Sequence, residues 1–150
     1  MADAAAPAEA PAVVDTNVLL YAADASARFH VPSRALWDRA RAGDIALAVT
    51  PQILWEYFSL ITSPKRVTAA LAPEDAWSDI ERFRVAFQII QPPVDIVERV
   101  LALSRTASVR GPEVFDATIA LTAIVSGIGV IYSYDPSVFS RVPGIEVKEP

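Results

Sequence analysis

Four acidic residues stand where a free carboxylate is costly. Asp15 follows the β-branched pair Val13-Val14, and Glu56 interrupts the apolar run Ile53-Leu54-Trp55 and Tyr57-Phe58. Asp116 lies among Val114, Phe115, Ile119 and Ala120, and Asp135 follows the apolar stretch that begins at Val130. Buried carboxylates are expensive unless they are paired or bound to metal. No Lys or Arg lies one helical turn from Glu56 or Asp116, so neither acid can be neutralised by its own helix. If the four acids converge, they offer the anionic oxygen donors that hard cations such as Mg²⁺ or Mn²⁺ prefer. Each acid also has a purely structural reading. Asp15 could cap a helix, and Glu56 could pair with a distant Arg. Asp116 could answer a helix dipole, and Asp135-Pro136 could be a turn.

Positioning these acids requires alternating strands and helices. Val13-Val14 reads as a strand ending on Asp15, with Thr16 or Asn17 capping a short helix to about Ala23. Pro32-Ser33 opens a second helix, which ends at Gly43-Asp44. Residues 45–49 form a strand, and Thr50-Pro51 starts a largely apolar helix to about Thr62 that should be well buried. A helix over 73–85 and a strand over 87–90 follow. The next helix, 94–106, should turn Ile96, Val97, Val100, Leu101 and Leu103 inward. Gly111-Pro112 opens a helix through Asp116 to about Ser126, residues 130–133 form a strand, and 145–147 form a last edge strand. This alternation specifies an α/β domain with a mainly parallel central sheet flanked by helices. In such sheets ligands sit beyond the carboxyl ends of the strands, where Asp15 and Asp135 fall.

The chain of 150 residues is 53% hydrophobic, enough for one core over residues 13–150. Residues 1–12 are Ala/Pro-rich, lack a basic segment, and read as a disordered start rather than a signal peptide. Residues 117–134 carry no charge, but Ser126, Gly127 and Gly129 break them into helix, turn and strand rather than a membrane span. With no cysteine, disulfides, thiolate metal sites and cysteine nucleophiles are excluded, and a cytoplasmic location fits. A net charge of -5 opposes binding of nucleic acid by phosphate neutralisation alone. Acids that hold divalent cations reverse the local sign and remove that conflict.

Taken in order, VVDTNVLLYA, TPQILWEYFSLITSPKRV, RGPEVFDATIALTA and GVIYSYDPSVF resemble the PIN-domain proteins, specifically VapC-type toxins of bacterial toxin–antitoxin pairs, over residues 13–139. The resemblance implies a three-layer PIN-like fold and a Mg²⁺- or Mn²⁺-dependent endoribonuclease. It implies that Asp15, Glu56 and Asp116 are the acidic triad and Asp135 the fourth acid, together binding metal. It also implies supporting hydrogen bonds from Thr16 or Asn17, a cognate antitoxin that covers the acidic site, and a homodimer. One departure is Val138, where many relatives carry an acid before the Phe matched by Phe139.

Glu113, one turn before Asp116, is read as an acid at the helix start, with an extra ligand role as the alternative. The only histidine, His30, lies outside the four motifs and is read as a loop or surface residue. Arg28, Arg34, Arg39, Arg41, Lys65, Arg66, Arg105 and Arg110 are candidates for steering RNA. Lys65, Arg66 and Arg110 are preferred, because they flank the Glu56 and Asp116 helices. Trp55 is expected in the core, and Trp37 and Trp77 in helix packing or a subunit interface, with base stacking as the alternative for all three. Two other readings compete: a catalytically inactive PIN-like module that binds RNA or protein, and a phosphatase with Asp15 as nucleophile. The second wants an Asp two residues on, where this chain has Asn17.

Overall fold

The computed structural model describes residues 9–150. Five parallel strands form one sheet in the order β3-β2-β1-β4-β5, with β1 Ala12–Val14, β2 Leu47–Val49, β3 Gln88–Ile89, β4 Val130–Tyr132 and β5 Glu146–Lys148. The helices are α1 Thr16–Ala23, α2 His30–Ala42, α3 Pro51–Ile61, α4 Pro73–Ala86, α5 Ile96–Ala107 and α6 Glu113–Val125. All three residues of β1 and of β2 are buried. Continuous apolar runs of this kind belong to strands covered on both faces, which is why the sheet is parallel and lies inside. β1 lies at its centre, pairing Val13 with Ala48 of β2 and with Ile131 of β4.

Strand order fixes where a site can form. The chain steps from β1 through β2 to β3 on one side, then crosses to β4 and β5 on the other. The direction therefore reverses between β1 and β4, and a crevice opens beyond their carboxyl ends. The backbone N–H of Asp15 bonds the Tyr132 carbonyl at 3.0 Å, extending the ladder to the lip of that crevice. On the far side of the lip, Tyr134 is clamped between Tyr21 and Phe29, and its hydroxyl meets that of Ser33 at 2.9 Å. This aromatic cluster fixes the segment that leads from β4 to Asp135.

The α3 helix is set by its cap and its phenol. Thr50 is buried, and its hydroxyl accepts the Ile53 N–H at 3.2 Å, while Pro51 occupies the first turn without needing a donor. Tyr57 is fully buried against Phe83, and its hydroxyl donates to Asp79 of α4 at 2.6 Å. With one face of α3 fixed in this way, Glu56 sits on its flank, half-buried.

Several expectations need correction. Asp15 itself is the α1 cap, accepting the Thr16 N–H at 2.8 Å, so Thr16 and Asn17 lie within the helix. Trp55 is not core: it is 56% exposed, because the buried stripe of α3 runs through Ile53, Leu54, Tyr57 and Ile61 instead. The apolar face expected to turn inward on α5 does so only in part, with Ile96 and Val100 half-buried. Val97 is 73% and Leu101 54% exposed, while Leu103 and Ala107 are buried. The helix carries more apolar positions than one stripe against the sheet can cover. A short 3₁₀ turn at Phe139–Arg141, which no periodicity announced, buries Phe139. Of the stretch read as disordered, residues 1–8 lie outside the described residues. Residues 9–12 are placed: Glu9 binds Arg39 and accepts the Tyr132 hydroxyl at 2.9 Å, and Ala12 opens β1. No helix among the described residues is long and apolar enough to cross a membrane.

Because Thr50 supplies the side-chain cap of the α3 amino end, Thr50→Ala is expected to lower stability by about 1 kcal/mol. Thr50→Ser should recover most of that loss in denaturant unfolding, since it restores the capping oxygen.

Candidate active site

Ser133 joins the ends of β1 and β4. Its buried hydroxyl donates to Asp15 Oδ2 at 2.7 Å and accepts from Asn17 Nδ2 at 3.2 Å and from the Asp135 N–H at 3.0 Å. One donor and two acceptors complete what a hydroxyl can offer. Asn17 also accepts the Tyr134 N–H at 3.4 Å, so α1 and the β4 exit are tied twice. Asp135, exposed, accepts the Ser137 N–H at 3.2 Å, which orders the turn it begins.

Two helices bring the other acids. Glu56 of α3 is held at both oxygens: the Thr16 hydroxyl donates to Oε2 at 3.0 Å and Gln52 Nε2 to Oε1 at 2.9 Å. The Thr16 bond spans from α1 to α3 and so locks Glu56 to the end of β1. Asp116 lies half-buried in the first turn of α6. None of the four acids forms a salt bridge among the described residues.

Electrostatics show that the acids share one field. Burial pushes the Asp15 carboxyl up to about 6, opposed by the bonds from Ser133 and Thr16 and reinforced by the charges of Glu56 and Asp135. Asp116 is pushed up to about 7, first by burial and then by Asp15, Glu56, Asp135 and Glu113. An all-oxygen, anionic donor set without a basic partner suits a hard divalent cation. The acids sense one another without being closed into a cage: among the described residues no three of them are gathered into a coordination cluster.

Other expected residues fall as follows. Thr16 and Asn17 both bond within the site. Lys65, Arg66 and Arg110 are exposed and take part in no salt bridge among the described residues. Arg66 shares a cleft of about 300 Å³ with Tyr21 and with Asn17, the residue that donates to Ser133. Arg34 and Arg39 instead pair with Asp38 and Glu9. Glu113 accepts from Arg141 at 2.8 Å and from the Arg110 N–H at 2.9 Å, so it closes the entry to α6. His30 lies in the first turn of α2, its Nδ1 2.9 Å from the Tyr21 carbonyl oxygen. Sequence reasoning missed Ser133, Gln52 and Arg141. Gln52 was legible as the residue one turn before Glu56, and Ser133 only once β1 and β4 are known to be neighbours.

A family model described as PIN domain matches residues 12–145. Ribonuclease VapC43 of Mycobacterium tuberculosis is 32% identical over 73 residues, a match spanning 49% of this chain and half the length of that relative. Ribonuclease VapC48 of the same species is 28% identical over 141 residues, covering 91% of this chain and 94% of the relative. Among solved structures, VapBC2 from Rickettsia felis bound to a promoter DNA fragment superposes with a TM-score of 0.64. That match covers 93% of this chain and 98% of the other at 18% identity, a likeness of fold.

The raised carboxyls set a pH dependence. Because Asp15 and Asp116 bind a proton more tightly folded than unfolded, their protonation favours the fold below about pH 4, and that gain is lost as pH rises through 6 to 7. Asp116→Asn removes one such group. In metal-free buffer it is expected to raise the melting temperature at about pH 8 and to make little difference at about pH 4. A variant less stable than the parent at the higher pH would show that the Asp116 charge is not under strain.

Proposed function

The chain belongs to the PIN-domain family, and from that premise we propose that it is a Mg²⁺- or Mn²⁺-dependent endoribonuclease, the toxin of a toxin–antitoxin pair. The observation that supports this reading is the placement of the acids without a basic partner: Ser133 joins Asp15 to the Asp135 backbone at the ends of β1 and β4, the Thr16 hydroxyl ties Glu56 to the same point, and the charges of these three raise the Asp116 carboxyl. The full acid set argues against an inactive binding module. Asn17 is committed to Ser133 and Tyr134, which leaves the phosphatase reading without its second acid.

Asp15, Glu56, Asp116 and Asp135 are the residues that would hold one or two ions. A bound divalent ion supplies Lewis acidity, making water a competent nucleophile and offsetting charge on the phosphodiester. The chain's part is to orient the donors. Ser133 and the Thr16 N–H aim the two oxygens of Asp15, and Thr16 and Gln52 aim those of Glu56. Lys65, Arg66 and Arg110 draw the RNA backbone towards the acids, Arg66 through the cleft it shares with Asn17. No histidine is required as base.

Its partners are RNA, a cognate antitoxin covering the acids, and a second copy of the chain. The likeness to VapBC2 and to relatives named VapC supports the antitoxin. The outward apolar face of Val94, Val97 and Leu101, with Val114 of α6 beside it, supports the homodimer. We place its action in the cytoplasm, where its RNA substrate lies.

Purified protein is expected to cut a labelled RNA pool with Mg²⁺ or Mn²⁺ and to stop with chelator. Asp15→Asn and Asp116→Asn should lose at least about a hundredfold in rate, the scale of losing a key electrostatic group. Either ion should also raise the melting temperature of the parent and not of the two variants. Cutting that ignores chelator and both substitutions would refute the reading. For the dimer, light scattering should give twice the chain mass, and Val97→Glu with Leu101→Glu should halve it; a monomeric parent would remove that part of the proposal.

A further inference from the structure

Each helix that contributes an acid also places an exposed aromatic directly before it. Trp55 precedes Glu56 and is 56% exposed; Phe115 precedes Asp116 and is 54% exposed. With Gln52, Glu56, Ser59 and Leu60 they line one groove of about 520 Å³, within the roughly 300–1,000 Å³ of small-ligand sites. Trp55 is braced from behind. Trp77 meets it edge-on at 6.0 Å, and Trp77 itself packs on Phe58 at 4.7 Å. An aromatic held in place by other aromatics while half its surface faces solvent is poorly explained by core packing, which these residues do not serve.

We propose that Trp55 and Phe115 form a subsite for one unstacked nucleobase of the RNA, flanking the phosphodiester that is cut. The inference rests on the ribonuclease reading and deepens it: the enzyme acts where a nucleotide is unpaired. A phosphate that meets Glu56 brings a covalently attached base with it, and this groove is lined by Glu56 itself and by Phe115, the residue before Asp116. Nucleobases present a π-face to the aromatic rings and polar edges to their surroundings. Gln52 and Ser59 on the groove wall can meet those edges. An apolar peptide laid in the same groove would cover Gln52, Ser59 and Glu56 without replacing their water contacts.

The test is steady-state cleavage, by the full chain in Mn²⁺, of a randomised single-stranded RNA pool and of the same RNA annealed to its complement. The parent should cut the single strands in preference to the duplex. Trp55→Ala and Phe115→Ala should each raise KM for the single strands by roughly tenfold with a smaller change in kcat, and Trp55→Phe should retain most of the parental KM. The Mn²⁺-induced rise in melting temperature should be unchanged in all three variants, which shows that the fold and the ion site persist. Alanine variants with parental KM would overturn the subsite while leaving the ribonuclease reading intact. The same would follow if they cut RNA normally but escaped inhibition by the co-expressed antitoxin, since the groove would then be a protein site. A parent that cuts no RNA in the pool would overturn both readings together.

Discussion

The hydroxyl of Ser133 is the joint on which the site depends. It has one proton to give and gives it to Asp15; it has two acceptor positions, and Asn17 and the Asp135 N–H fill them. Asp15 ends the central strand, Asn17 belongs to the first helix, and Asp135 begins the exit from β4. A single buried oxygen therefore sets the spacing of three segments far apart in sequence. Thr16 carries the same logic outwards by binding Glu56 of α3 across 40 residues. Satisfied polar networks of this kind are rigid because every alternative leaves a buried group unpaired.

That joint also explains how an unfavourable charge cluster persists. Asp15 is kept from rising further by bonds to its charged form, while Asp116 has no such bond among the described residues and is pushed higher, though less deeply buried. The burden is thus spread unevenly, and the rest of the domain must carry it. The buried aromatic cluster of Tyr57, Phe83, Phe87 and Trp37 gives that support through dispersion and area. Strain concentrated at a sheet edge and supported by packing elsewhere is a common pattern for a working site.

Much of this was legible in the sequence. The alternation of β-branched runs with amphipathic stretches gave the parallel α/β domain, and the Thr50-Pro51 start and Gly43 stop were read from cap chemistry alone. The four acids were visible because each interrupted an apolar context. What stayed hidden were pairings across the chain: nothing local marks Ser133 as the partner of Asp15, or Arg141 as the residue that binds Glu113 and the carbonyl of Ala107. The misjudged faces have one cause. Trp55, Val97 and Leu101 are apolar, and hydropathy says that an apolar residue prefers burial, not that the domain has room for it.

Those same outward apolar residues divide by place. Trp55 and Phe115 border the acids, whereas Val97 and Leu101 lie on α5, with no acid of the site on that helix. The net charge of -5 can be read the same way. Four of the negative charges behind it sit in the site, and six of the arginines are already spent on ion pairs elsewhere. Two divalent ions at the acids would bring the chain close to neutral, and among the described residues Lys65, Arg66 and Arg110 are among the basic side chains that no ion pair occupies. An acidic sequence and a polyanionic substrate would then be compatible, because cations at these four acids would offset most of the net charge.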